Sequence, residues 1–155
     1  MKTMLSRFLT LAVAAVAAFG GLLPQVASAQ DKDSALVINL TSADPWRASM
    51  AAFVGTNFAL KQGVKDVVIF ANVDGVKVFD KAYGAETIAT GKFDQPVQTM
   101  MAQFMAAGGK VLVCLVCIKA LDIPEANLIA GADVLRRPST LNDVMFRPGA
   151  KTLSW

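Results

Sequence analysis

The chain has 155 residues, 54% of them hydrophobic and 17% charged, with two cysteines, no histidine and a formal net charge of +3. Without histidine there is no Ser-His-Asp or Cys-His nucleophile pair and no imidazole metal ligand, so any catalysis falls to carboxylates, lysines or thiols. The length fits one α/β or α+β domain with a real core and falls well short of the roughly 250 residues of a TIM barrel.

Residues 1–29 read as a secretory signal peptide. Lys2 and Arg7 make a basic start, Phe8 to Leu23 is an uncharged run of 16 residues, and Ala27-Ser28-Ala29 supplies the small-residue cleavage site. The run is shorter than the ~20 residues that cross a bilayer. Cleavage after Ala29 makes 30–155 the mature domain, in which 13 basic residues face 12 acidic ones. No basic stripe is present for nucleic acid, and no second long apolar run would hold the mature protein in a membrane. The expected location is a bacterial periplasm, where disulfides persist.

Along the mature chain, the apolar run Ala35 to Leu40 is a buried strand. Asp44 then caps a helix with Pro45 at its first position. Trp46, Met50, Phe53, Val54 and Phe58 form its expected core-facing stripe, and Gly63 stops it. Asp66 to Ala71 is a second buried strand. Asn72 to Phe93 is irregular, with Asp74-Gly75 as a turn and a short helix or strand near Val76 to Phe79. Gln95 to Ala107 is a helix with a core stripe of Val97, Met100, Met101, Phe104 and Met105, ended by Gly108-Gly109. Lys110 to Cys117 reads as a third strand, with a helical turn from Ile118 to Leu121. Leu128 to Leu135 is a weaker strand, Ser139 or Thr140 caps a short helix holding Leu141, Val144 and Met145, and Ala150 to Trp155 is an edge strand. This alternation predicts an α/β fold: a three-layer, mostly parallel sheet of about five strands with helices on both faces.

In such a sheet the reactive crevice lies at the carboxyl ends of the strands. Three segments end there: Asn39 to Asp44, Asn72 to Gly75, and Cys114 to Cys117. Only the last carries intrinsic reactivity, because a thiolate near a helix start and Lys119 is a nucleophile. A zinc site needs about four ligands and one CxxC supplies two, so no metal is expected. A disulfide is open to this pair only if the chain turns after Cys114, since residues three apart in a strand are about 10 Å from each other and bridged Cα atoms lie within roughly 7 Å. Buried, inert thiols are the remaining alternative. Asp44 and Glu125 read as helix-start acids, Arg136-Arg137 as solvated charge or an anion contact, and Trp46 and Trp155 as packing or subunit contacts.

The run Gly108-Gly109-Lys110 through Cys114-Leu115-Val116-Cys117-Ile118-Lys119-Ala120, followed by Leu128-Ile129-Ala130-Gly131-Ala132, resembles the DsrE/DsrF/TusD-like sulfur-relay family. Phe70-Ala71-Asn72-Val73-Asp74-Gly75-Val76 is similar to the family's strand that ends in an aspartate-glycine-valine turn. The resemblance implies a small three-layer α/β domain, assembly into a homo-oligomer (trimer or hexamer), and a cysteine that accepts sulfane sulfur as a persulfide. Cys114 matches the sulfur-accepting position, and Cys117 a second cysteine found in some members. The implied partners are a sulfur donor or acceptor protein or a small sulfur species, and no cofactor is implied. Three functions follow: an exported sulfur-handling protein, a thiol-disulfide redox or redox-sensing module, and a non-catalytic binding or assembly domain.

Overall fold

In the computed structural model, residues 34–84 and 93–155 are described. The expected signal peptide, its cleavage site and part of the glycine-rich segment lie outside them. The strands are β1 (Ala35–Leu40), β2 (Asp66–Ala71), β3 (Lys110–Cys114), β4 (Ala132–Leu135) and β5 (Lys151–Ser154). They form one sheet in the order β4-β3-β2-β1-β5, and every pairing is parallel. The helices are α1 (Pro45–Val54), α2 (Val97–Ala106), α3 (Leu115–Ala120) and α4 (Pro138–Met145).

Strand side chains alternate between two apolar layers, as the period of two requires. Ile38, Leu40, Val67, Ile69, Val111 and Val113 face the larger core with α1 and α2, whereas Ala35, Val37, Val68 and Leu112 face Leu141 and Val144 of α4. The three-layer α/β architecture is therefore as expected, with the second face resting on one short helix.

Three local expectations change. α1 starts as predicted, with the Asp44 carboxylate accepting from Arg47 N at 2.9 Å and Pro45 in the first turn. It buries Ala48, Ser49, Ala51 and Ala52, however, while Trp46 and Phe58 are 41% and 65% exposed. The sheet already fills this layer with branched side chains, so the helix approaches on its small residues. Trp46 and Phe53 gather instead around Phe93, with ring centroids 5.4 and 5.7 Å away. A π-turn and a 3-10 turn extend the helix to Gly63, whose φ of 90° ends it as expected.

Next, β3 stops at Cys114, and Leu115 to Cys117 is already helical. A continuous apolar run does not by itself mark where a strand becomes a helix. Lastly, α4 begins at Pro138 with Arg137 at the cap position, so neither Ser139 nor Thr140 caps it; proline's fixed φ suits the first helical residue.

Candidate functional site: a thiol pair at the carboxyl end of the sheet

Because β3 ends at Cys114, the chain makes the turn that the pair requires. Cys114 and Cys117 are joined as a disulfide with their Cα atoms 5.2 Å apart. Cys114 occupies the cap position of α3, and its Sγ accepts from Cys117 N at 3.2 Å. Cys117 Sγ accepts a different main-chain donor, Val73 N, at 3.3 Å. Each sulfur thus has an N–H directed at it, an arrangement that favours negative charge on sulfur.

Val73 is held in place from below. Asn72 N donates to Leu40 O at 3.0 Å, its side-chain amide donates to Asn39 Oδ1 at 2.5 Å, and Gly75 N donates to Asn72 O at 2.9 Å. Gly75 packs so closely that a Cβ there would lie 2.1 Å from Leu40 O. Between these anchors Val73 adopts φ 51°, a left-handed conformation that β-branched residues rarely take. The cost of such a conformation is on the order of 1–3 kcal/mol, offset by the surrounding contacts.

The structure brings two of the three predicted segments together, Asn72 to Gly75 meeting Cys117. From the third, Asn39 reaches Asn72, whereas Asp44 remains a helix cap. Near Asp44, the Tyr83 hydroxyl donates to Ala43 O at 3.1 Å, and burial, with the Asp44 charge second, raises the phenol above its ordinary value of 10.0. The sequence reading missed the Asn39–Asn72 bond and the Val73 donor. An asparagine at or just past the end of each of two apolar runs was the available signal for the first; nothing in a valine announces the second.

Beside the disulfide is a cleft of about 270 Å³ between the starts of α3 and α4, lined by Cys114, Leu115, Val116, Leu135, Arg136 and Leu141 among others. Cys117 is not among the lining residues. Leu135 is the register partner of Cys114 on β4, so Arg136 follows directly at the strand's carboxyl end. Its guanidinium pairs with Glu125. Larger hollows of about 340 and 390 Å³ lie elsewhere and contain no thiol. Among the described residues no cluster of three or more metal-ligating side chains occurs, and no helix is long and apolar enough to cross a membrane.

A parallel sheet that presents a thiol pair at its carboxyl edge, under one layer of helices and over another, defines a class of small α/β thiol domain. The model of the DsrE/DsrF-like family matches residues 25–145, and the chain belongs to that family. Among solved structures, a protein of unknown function from Methanobacterium thermoautotrophicum is similar, with a TM-score of 0.61 and 14% identity over 79% of this chain and 99% of that one. That likeness shows the fold alone. No curated protein matches the chain in sequence.

Proposed function

We propose that the protein is an exported sulfur-handling protein of the bacterial periplasm, in which Cys114 accepts sulfane sulfur as a persulfide and passes it on. The observation that carries this reading is the position of Cys114 in a DsrE/DsrF-like chain: at the carboxyl end of β3, on the wall of a cleft. The Cys114 thiolate attacks the outer sulfur of a persulfide R–S–SH, forming Cys114–S–SH and expelling R–S⁻. An acceptor thiolate R′–S⁻ then attacks the outer sulfur, forming R′–S–SH and returning Cys114 as its thiolate, so atoms and charge balance; attack of Cys117 thiolate on Cys114 Sγ is the competing exit, which closes the disulfide and releases HS⁻. A homo-oligomer, a trimer or hexamer by resemblance, is proposed to assemble through exposed apolar side chains away from the cleft, such as Phe146.

A second reading is favoured by the disulfide itself: thiol-disulfide exchange or redox sensing with no sulfur carried. Intact mass separates the two. Reduced protein treated with polysulfide is expected to gain about 32 Da per added sulfur on Cys114, a gain lost in Cys114→Ala and kept in Cys117→Ser. Absence of any sulfur gain, with exchange activity that disappears in Cys117→Ser, would replace this function with the redox one.

A further inference from the structure

The two sulfurs are unlike in their surroundings. Only Cys114 lines the cleft, and only Cys117 receives a hydrogen bond from outside its own helix, from Val73 N at 3.3 Å. Exchange requires the incoming sulfur to approach one disulfide sulfur while the other departs with the electron pair. The cleft wall includes Cys114, and the Val73 donor lies where Cys117 would accumulate charge. Among the described residues, Arg136 is the one charged side chain on the cleft wall, where the neighbouring Leu115, Leu135 and Leu141 are apolar. A volume of about 270 Å³ suits a small molecule, lying just under the usual range for ligand pockets.

We propose that the disulfide is opened from one side, by a low-molecular-weight thiolate or persulfide that carries an acidic group: the acid meets Arg136, the sulfur attacks Cys114 Sγ, and Cys117 leaves as a thiolate held by Val73 N–H. This deepens the proposed function, on which it rests, by naming the co-reactant that opens the pair; a second equivalent of the small thiolate then attacks the small-molecule sulfur of the Cys114 adduct, leaves as the small-molecule disulfide and returns Cys114 as its thiolate. In the step the Cys114–Cys117 bond breaks, a bond between the incoming sulfur and Cys114 forms, and the electron pair of the broken bond goes to Cys117. Arg136 is the specificity-determining residue. Val73 acts through its main-chain N–H, which contacts the departing sulfur directly.

The experiment uses the oxidised mature chain and two thiols of equal length and opposite charge, 2-mercaptoethanesulfonate and 2-aminoethanethiol. Each rate is normalised to that of the same thiol with a neutral small disulfide, and products are alkylated, acid-quenched and mapped by fragmentation mass spectrometry. The adduct is expected on Cys114 with the alkyl group on Cys117, and the anionic thiol is expected to react roughly three- to fivefold faster, the scale of one exposed charge contact. Arg136→Gln should erase that preference, Arg136→Lys should keep most of it, and Glu125→Gln, which releases the guanidinium, should increase it. Replacing Val73 by its α-hydroxy acid removes the N–H alone and should slow both thiols alike while leaving their ratio intact. Adducts on Cys117, or a charge preference that survives Arg136→Gln, would overturn the proposal, and an unchanged rate with the ester would remove Val73 from it. Polysulfide uptake by reduced protein is scored separately: one-sided opening without sulfur uptake sinks the sulfur-carrier function alone, and uptake with attack at Cys117 sinks the opening step alone.

Discussion

Ser49 lies on the face of α1 that meets the sheet, fully buried, and its hydroxyl has no hydrogen-bond partner among the described residues. An unpaired buried hydroxyl loses its water without compensation, and serine is also a poorer helix former than alanine. Ser49→Ala is therefore expected to raise stability by about 1 kcal/mol, read from the midpoint of urea unfolding at unchanged m-value. At this scale the sequence was partly legible. The two cysteines were readable as the candidate pair because no other side chain in the chain has comparable chemistry, and Asp44 was readable as a cap because Pro45 follows it. Val73 was not, because a β-branched residue is the last choice for a left-handed position. Its conformation is imposed by Gly75 against the Leu40 carbonyl and by the bonded asparagines, contacts made across 33 or more positions of chain.

Elements are tied together at the amino end of the sheet by Asp66. Its carboxylate takes Lys110 Nζ at the start of β3 at 3.0 Å and Arg147 Nη1, from the segment leading to β5, at 2.5 Å. The bond from Arg147, then the bond from Lys110, hold the Asp66 carboxyl below its ordinary value of 3.8. Since the folded value lies below the unfolded one, the contribution is complete above about pH 4 and fades as pH falls through the folded value. Asp66→Asn is expected to cost about 1–2 kcal/mol at neutral pH, reduced from the full worth of two charged bonds because Lys110 is exposed. The two unfolding curves should converge in acid, which thermal melts across pH 2 to 7 would show. Strand and helix order were legible from apolar runs and their glycine and proline punctuation. Faces were less so: the aromatic stripe of α1 has helical period, but periodicity does not say whether the bulky or the small side of a helix fits the space over a sheet already crowded with isoleucine and leucine.

At the scale of the whole molecule, alternation of elements was enough to imply a parallel sheet, while the strand order was beyond it. From β1 the chain steps outward through β2, β3 and β4 on one side, then returns past β1 to lay β5 on the other. No local pattern encodes that return; it rests on pairings such as Val37 with Thr152 and on Trp155, whose carbonyl accepts from Thr41 N and Thr41 Oγ1, both at 2.8 Å. The thin second face, with one helix over it, follows from the same route, because every crossover but the last falls on the other side.

That return gives the fold a timetable. Among the described residues β1 comes first, and its flank on the β5 side stays open until Lys151 to Ser154 are in place, more than a hundred positions later. Contacts that distant make folding slow, and an open strand edge is a template for another chain. A chain shortened to end at Ala150 is expected to refold in low yield, losing protein to association that rises with concentration, as light scattering during dilution from denaturant would reveal. For this molecule the hazard belongs to the interval before folding is complete, and four residues of edge strand bring it to a close.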